Sequence, residues 1–204
     1  MNLIDINRID TLVQQKLLTQ GVKGEKRYRH SLSVAQKMKE LCQQHHCDCE
    51  ESMIHVTGII HDYAKFTTLD EYYVLSAKYP ELIEKLQAPK KTLHALCGPY
   101  VIMEELNINN PMILDAVRYH TTGHPHFSVL GELLFVADFI EDERVGAVYT
   151  HVRQVANHSL KQAVAWALHY TINHIQQAKQ PFHPMTMEAY LAYKKYLQED
   201  LFEN

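Results

Sequence analysis

The 204-residue sequence predicts an all-α protein with a single domain, and two observations support this fold class. Apolar residues recur with the three- and four-residue spacing of an amphipathic helix along almost the whole chain, whereas the long alternating runs typical of strands are absent. A chain of this length fits one domain, and no internal repeat, low-complexity tract or linker divides it. We therefore expect residues 1–204 to form one helical bundle.

Helical periodicity divides the chain into nine predicted segments, separated by stretches that contain polar residues, Gly or Pro. In chain order these segments are residues 3–20, 27–46, 53–65, 70–86, 91–106, 112–120, 128–140, 151–178 and 186–201. Ser52 is a suitable N-cap for the third segment. Pro99 lies inside the fifth segment and predicts a kink or a break there. The stretch QPFHP at 180–184 separates the last two helices.

The composition argues against two classes of partner. The formal net charge is −4, which disfavours a general nucleic-acid-binding or anionic-membrane surface. No apolar run approaches the roughly 18 residues that a membrane-spanning helix needs, and the N-terminal residues MNLIDINRID are too charged for a signal peptide. We expect a cytoplasmic protein that binds neither nucleic acid nor membrane, with its four cysteines reduced.

Residues 45–51 read HHCDCEE and combine imidazole, thiol and carboxylate groups in one short stretch. The C-x-C spacing differs from the spacing of structural zinc sites, and no second cysteine pair lies at a suitable distance. The stretch also falls between two predicted helices, where a polar loop is expected. We interpret it as a solvated loop and not as a metal site.

Six histidine and aspartate side chains fall on apolar faces of the predicted helices, where solvation does not explain them. They are His30, His61, Asp62, His94, His120 and Asp138. One such residue is usually a core polar group with a satisfied hydrogen bond, but six in one chain point to a shared function. Imidazoles mixed with carboxylates suit iron, manganese, cobalt, nickel or zinc better than calcium or magnesium. The sequence therefore predicts a buried transition-metal centre between helices.

The neighbours of these ligands refine the expectation. Adjacent His61 and Asp62 project about 100° apart on a helix, so sharing one ion requires the helix to end beside the site. Lys65 lies one turn beyond His61, and Arg27 lies one turn before His30. Both cations are placed to reach an anion at the metal. A solvated position near the negative end of the helix dipole is the alternative for the lysine.

Five motifs give the chain a family resemblance. They are KRYRHS (26–31), HDYAK (61–65), LHALCG (93–98), ILDAVRYHTTG (113–123) and FVADFIEDER (135–144). The order H…HD…D on helices resembles the HD-domain metallophosphohydrolases, and the five motifs together resemble the bacterial HD-domain family of symmetrical diadenosine tetraphosphate hydrolases. The resemblance runs from about residue 26 to about residue 186. It implies one HD-domain helical bundle with a buried metal centre, on which the C-terminal helix 186–201 packs.

The resemblance also implies roles for individual residues. The metal ligands, holding iron as one ion or a dinuclear centre, would be His30, His61, Asp62 and Asp138. The catalytic residues would be Asp62, Lys65, His94 and His120. The substrate-binding residues would be Arg27, His30, Lys65, His94, His120, Thr121, Arg144, Gln180, Pro181, Phe182, His183 and Pro184. His94 and His120 either complete a second metal site or donate hydrogen bonds to phosphate, and the sequence leaves both roles open.

The implied reaction is hydrolysis of diadenosine tetraphosphate (Ap4A) into two ADP, and a homodimer is compatible with the resemblance. Two positions depart from the family pattern: His124 stands where arginine is usual, and Asp142 replaces a usual proline. Both bear on how phosphate is held and so on substrate preference. Three alternatives stay open: another HD-domain nucleotide phosphohydrolase (a 5′-nucleotidase or phosphodiesterase), a non-catalytic nucleotide-binding module, and a di-iron oxygenase.

Overall fold

The structure, a computed structural model, describes residues 5–197. Its α-helices are α1 (Ile6–Leu18), α2 (Gly21–Gln44), α3 (Glu51–Ile60), α4 (Leu69–Ser76), α5 (Leu82–Lys85), α6 (Leu93–Leu96), α7 (Gly98–Leu106), α8 (Pro111–Tyr119), α9 (Val129–Ile140), α10 (Ala147–Ala156), α11 (Leu160–Gln177) and α12 (Pro184–Tyr193). A 3-10 turn at Lys90–Thr92 precedes α6. Strands are absent from the described residues, so the predicted all-α fold class is confirmed. Within the same part of the chain, no helix combines the length and apolarity needed to cross a membrane.

The predicted helices of the first half are present, but several of their boundaries are wrong. Helix α2 begins at Gly21, before the predicted start at residue 27. Ser52 was expected to cap the third helix, yet α3 begins at Glu51 and includes this serine in its first turn. The segment 70–86, predicted as one helix, is divided into α4 and α5 by a turn.

Two sequence signals in the second half concern helix breaks. The break predicted at Pro99 is confirmed, because α6 ends before Cys97 and the proline lies in the first turn of α7, where its missing N–H costs no helical hydrogen bond. The single helix predicted over 151–178 is wrong, since α10 and α11 are separate. The side chain of Ser159 caps α11 by accepting a hydrogen bond from the backbone N–H of Gln162.

The C-terminal helix is attached to the helix that carries Asp138. Helix α12 starts at Pro184, two residues before the predicted start, and a 3-10 turn follows it to residue 197. The predicted continuation over 198–201 lies outside the described residues. Helix α12 packs on α11, and the hydroxyl of Tyr193 donates a 2.6 Å hydrogen bond to the buried carboxylate of Glu132 in α9. This contact satisfies a carboxylate that would otherwise be costly to bury.

Helices α2, α3 and α9 form the centre of the bundle, and α2 packs on both of the others. Val34, Ile60 and Leu134, one from each helix, are fully buried. His30 lies one turn before Val34, and His61 directly follows Ile60. The packing that removes apolar surface from water therefore also fixes the positions of these two imidazoles.

The close approach of α2 and α3 depends on Gly58. A Cβ atom at this position would lie 2.4 Å from the Cα atom of Ala35 and 2.7 Å from its Cβ atom. Both distances are well below van der Waals contact, and the Cα atom belongs to the backbone of α2 and cannot rotate away. Only glycine allows the two helices to meet at this distance.

We predict that Gly58→Ala lowers the free energy of unfolding by about 1–3 kcal/mol, because the added methyl group forces α2 and α3 apart. Gly98→Ala is the matched control, since a Cβ atom there would lie 3.5 Å from the Cβ atom of Ala64, an ordinary contact. Urea unfolding followed by circular dichroism measures both variants. Equal stability of the two variants would contradict this account of the helix contact.

Candidate metal centre and active site

The structure brings all six predicted histidine and aspartate side chains together. His30 comes from α2, His61 and Asp62 follow the last residue of α3, His94 lies in α6, His120 follows α8, and Asp138 lies in α9. All except Asp138 are buried, and the side chain of Asp138 is 22% exposed. Helix α3 ends at Ile60 and residues 61–66 form turns, which meets the requirement that a helix end beside the site.

Asp62 lies at the centre of the cluster. Its Oδ1 atom is 3.1 Å from Nε2 of His94 and 3.6 Å from Nε2 of His120. Its Oδ2 atom is 3.5 Å from Nε2 of His61 and 4.0 Å from Nε2 of His30. One carboxylate therefore faces the same ring nitrogen of four imidazoles that come from four parts of the chain.

Backbone contacts fix the tautomer of two of these imidazoles. Nδ1 of His61 lies 2.7 Å from the carbonyl oxygen of Gly58, and Nδ1 of His120 lies 2.7 Å from the carbonyl oxygen of Val117. A carbonyl oxygen only accepts hydrogen bonds, so Nδ1 carries the proton in both rings. In the neutral ring Nε2 then carries a lone pair, and this lone pair faces Asp62. The arrangement is the one that orients metal-ligating histidines.

Glu141 orients the third imidazole, and sequence reasoning missed it. Its Oε1 atom lies 3.3 Å from Nδ1 of His30. Its Oε2 atom accepts hydrogen bonds from the hydroxyl of Ser33 at 3.0 Å and from the backbone N–H of Glu143 at 2.8 Å. The carboxylate is 2% exposed. A sequence signal was available, since Glu141 lies three residues after Asp138 and directly follows the apolar stretch that ends at Ile140.

The donor atoms fit a transition metal. Three groups of side chains each place one ligand atom apiece within 4.8 Å of one another, namely His30–His61–Asp62, His61–His120–Asp138 and Asp62–His94–His120. Nε2 of His30, Nε2 of His61 and Oδ1 of Asp62 are buried and have no hydrogen-bond partner. Nε2 of His30 lies 3.1 Å from Oδ1 of Asp138, yet with its proton on Nδ1 both atoms are acceptors. A cation bound among these atoms removes the conflict.

The protonation states of the cluster suit a metal. Burial raises the pKa of the Asp62 carboxyl, but the imidazoles of His61 and His120 outweigh it and hold this pKa well below its usual range. Burial likewise opposes ionisation of Asp138, and the nearby imidazoles, first that of His30 and then those of His61 and His120, outweigh it and lower the pKa of this carboxyl. Burial lowers the pKa of His94 to about 4. Near neutral pH both carboxylates are therefore ionised and His94 is neutral, as ligation requires.

Three predicted cations surround the cluster. Nη1 of Arg27 donates to Oδ2 of Asp62 at 2.5 Å. Nζ of Lys65 lies 3.3 Å from Oδ1 of Asp62 and 2.9 Å from Nε2 of His94. Nη2 of Arg144 donates to Oδ1 of Asp138 at 3.3 Å. Each cation contacts the carboxylate of Asp62 or Asp138 and is partly exposed. It is therefore available to an anion that approaches the cluster from solvent.

Two clefts adjoin the cluster. The larger one, of about 690 Å³, is lined by Lys65, Phe66, Thr67, Thr68, Leu69, Asp70, Tyr72, Lys90, Lys91, Leu93, His94 and Thr121. The smaller one, of about 230 Å³, is lined by His120, Thr121, Phe135, Asp138, Phe139, Arg144, Tyr149 and Thr171. Thr121 lines both clefts, and its buried Oγ1 atom has no hydrogen-bond partner. The two clefts therefore adjoin at Thr121, beside His94 of the larger cleft and His120 of the smaller one.

Of the segment 180–184, Gln180 contacts a residue that lines the larger cleft. The side-chain oxygen of Gln180 accepts a 2.7 Å hydrogen bond from Nζ of Lys91. Nδ1 of His183 accepts from the backbone N–H of Met185 and caps α12, so this ring has a structural task. Pro181 and Pro184 are exposed and Phe182 is half-buried. A substrate-binding role for these five residues stays a prediction.

The two positions that depart from the family pattern, His124 and Asp142, line neither cleft. His124 lines a separate pocket of about 170 Å³ and packs on Tyr119 with ring centroids 4.4 Å apart. Asp142 is largely exposed and pairs with Lys37, whose Nζ atom lies 3.0 Å from its Oδ1 atom. Among the described residues, none of the side-chain groups that could hold a metal ion includes a residue of the stretch 45–51.

Comparison with known proteins identifies the family and two relatives of this chain. The HD-domain family matches residues 27–141, more than half of the chain. A symmetrical bis(5′-nucleosyl)-tetraphosphatase from Halalkalibacterium halodurans is 33% identical over 166 residues, which cover 81% of this chain and 88% of that protein. The protein of the same name from Bacillus subtilis is 32% identical over 166 residues, with the same two coverages.

A solved structure from Clostridium acetobutylicum is similar in fold. It is described as a predicted HD superfamily hydrolase involved in NAD metabolism, and it superposes with a TM-score of 0.77 over 93% of this chain and 96% of that one. Its sequence identity of 24% limits the likeness to the fold. The HD-domain match and the two relatives establish the family. The chain belongs to the HD-domain hydrolases, and within them to the group of bacterial enzymes named symmetrical bis(5′-nucleosyl)-tetraphosphatases.

Proposed function

We propose that the protein is a metal-dependent hydrolase that cleaves Ap4A symmetrically into two ADP. The observation that carries the proposal is the set of buried, unpartnered acceptors around Asp62, because they need a cation and lie where two clefts meet. The relatives' names supply the substrate class. We propose a cytoplasmic location as well, since the four cysteines are free, as expected in a reducing compartment.

His30, His61, Asp62 and Asp138 would hold the metal, for which we propose iron, and the same nitrogen and oxygen donors also accommodate manganese, cobalt, nickel or zinc. When bound, such an ion neutralises phosphoryl charge and lowers the pKa of water toward roughly 7–9. His94 and His120 point Nε2 at the same oxygen of Asp62. This geometry favours His94 and His120 as ligands of a second metal ion over a purely hydrogen-bonding role for them. We therefore propose a dinuclear centre.

The cations around the cluster would bind the phosphates. Lys65 and Arg27 both contact Asp62, and Arg144 contacts Asp138. Because they are held in place before substrate arrives, they can stabilise developing negative charge without reorganising. The Oγ1 atom of Thr121 is a free donor at the junction of the clefts, and it would donate a hydrogen bond to a phosphoryl oxygen there.

Fixed positioning supports a single mode of cleavage, and the relatives' names supply the symmetrical one. A rigid cluster with rigid cations orients one phosphoryl group toward one water, so one pair of products should dominate. Attack at the phosphoryl group second from an adenosine, with the bridging oxygen of the middle anhydride leaving, gives ADP on both sides. ADP is a good leaving group because its terminal phosphate carries the released charge, so no protein acid has to protonate it.

We predict that Asp62→Ala removes the metal and lowers Ap4A turnover by at least about 10²–10³-fold, the range for losing one electrostatic group from an active site. Asp62→Asn should do the same while keeping the side-chain volume. Asp142→Asn, which alters an exposed carboxylate outside both clefts, is the control. Elemental analysis of the purified proteins and a turnover assay give the result, and full activity in a metal-free Asp62→Ala protein would refute the metal centre.

We predict that metal-loaded protein converts Ap4A into ADP as the sole nucleotide product. In water labelled with oxygen-18, one label should enter the terminal phosphate of one of the two ADP molecules, because the middle anhydride is opened by one water. Ion-exchange separation and mass spectrometry measure both. Equal amounts of AMP and ATP would contradict symmetrical cleavage, and release of inorganic phosphate from a mononucleotide without Ap4A turnover would favour a nucleotidase.

A further inference from the structure

The end of α9 and the turn after it carry three residues of the candidate site. Asp138 lies in the last turn of α9. Glu141 and Arg144 follow the helix, and the backbone N–H of Arg144 donates a 3.0 Å hydrogen bond to the carbonyl oxygen of Glu141. Nε of Arg144 also lies 3.5 Å from Oε1 of Glu141. Residues 138–144 therefore supply one candidate metal ligand, the carboxylate that orients His30 and one candidate phosphate-binding cation.

An arginine of the next helix holds this turn. Arg153 lies in α10 and is half-buried. Its Nε atom donates a 2.8 Å hydrogen bond to the carbonyl oxygen of Ile140, and its Nη2 atom donates 2.7 Å hydrogen bonds to the carbonyl oxygens of Glu141 and Arg144. The guanidinium group is planar and its donors point in fixed directions. The three bonds therefore fix the three carbonyl groups relative to one another.

The location of these carbonyl groups makes the contact important for the turn. The last carbonyl groups of a helix have no N–H partner within the helix, and they lie at the negative end of the helix dipole. A cation with several donors satisfies both conditions in one contact. Without Arg153, the carbonyl groups have to find separate donors, and the turn loses the contact that fixes its conformation.

The conformation of the turn decides where two functional side chains point. Oε1 of Glu141 lies 3.3 Å from Nδ1 of His30. Nη2 of Arg144 donates to Oδ1 of Asp138 at 3.3 Å. Arg153 binds the carbonyl groups of Glu141 and Arg144 themselves, whereas Asp138 lies within the helix and is held by the helical backbone. Loss of Arg153 therefore acts first on the two residues of the turn.

We propose that Arg153 is a positioning residue for the metal centre and acts through Glu141. It holds the Glu141 carboxylate where this group keeps the proton of His30 on Nδ1 and leaves Nε2 free for the metal. Arg153 lines neither cleft, so it affects the centre without touching the substrate. The inference rests on the proposed metal-dependent function and deepens it, because it names a residue outside both clefts on which metal affinity depends.

A double-mutant cycle separates this positioning role from general stabilisation of the fold. The proteins are wild type, Arg153→Ala, Glu141→Ala and the double variant, all full-length and loaded with metal. Each is equilibrated with increasing concentrations of a chelator, and elemental analysis of the protein fraction gives the metal that it retains. Urea unfolding measures the stability of each protein in parallel. Arg8→Ala, which removes an exposed arginine of α1, is the control.

Two further measurements separate the donor geometry of Arg153 from its charge. Arg153→Lys keeps the positive charge but cannot reproduce the planar set of donors, so its metal retention should be close to that of Arg153→Ala. Guanidinium ion, added to Arg153→Ala well below denaturing concentrations, should increase metal retention, because it supplies the same planar donors. It should leave wild type and Arg8→Ala unchanged. Full metal retention in Arg153→Lys would overturn the proposed role of the donor geometry.

We expect Arg153→Ala to weaken metal affinity about tenfold, near the lower end of the effect of losing an outer-shell partner, because the arginine acts through a second residue. In the Glu141→Ala protein the same change should cost less than about twofold, since residues that act together are not additive. Equal factors in both backgrounds would overturn the proposal. A wild-type protein that retains no metal contradicts both this proposal and the proposed function. A wild-type protein that retains metal and shows the coupling, but does not convert Ap4A into ADP, contradicts the proposed function alone.

Discussion

The electrostatic conflict around Asp62 is the constraint on which the rest of the structure depends. Four imidazole nitrogens face one buried carboxylate, and backbone carbonyls hold the proton of two rings on the opposite nitrogen. Lone pairs that face each other in a site shielded from water are unfavourable unless a cation lies between them. The surrounding helices hold this arrangement in place, and its energy becomes favourable when a metal binds. The fold and the cofactor are therefore linked through Asp62.

Packing supplies the rigidity that this arrangement needs. The absence of a side chain at Gly58 lets α3 approach the backbone of α2, and the same residue offers its carbonyl oxygen to His61. Glu141, which is itself fixed by Ser33 and a backbone N–H group, orients His30. One set of contacts thus stabilises the helix pair and aims the ligands. Such supporting contacts usually matter to metal affinity almost as much as the ligands do.

Much of the fold and the six histidine and aspartate residues of the cluster could be predicted from the sequence. Helices give a periodic pattern of apolar residues, and a buried polar residue interrupts that pattern. His120 and Asp138 each interrupt an apolar stripe, so their positions are visible in the sequence. Glu141 was missed because it follows the end of its helix in an acidic stretch, and its partner His30 lies 111 residues earlier. The split of 151–178 was missed because both halves keep the apolar period, and Ser159 alone marks the break. The lysines of the larger cleft are ordinary polar residues until the fold places them beside His94.

X-ray absorption spectroscopy of the protein as purified with its metal tests the central claim most directly, because it reports the atoms bound to the ion without reference to activity. A centre built from His30, His61, Asp62 and Asp138 predicts a shell of nitrogen and oxygen at about 2.0–2.2 Å, with the outer scattering that imidazole rings produce and no sulfur. The thiols of Cys42, Cys47 and Cys49 are free and are the competing ligands. A sulfur shell near about 2.3 Å would place the metal at these thiols and contradict the account.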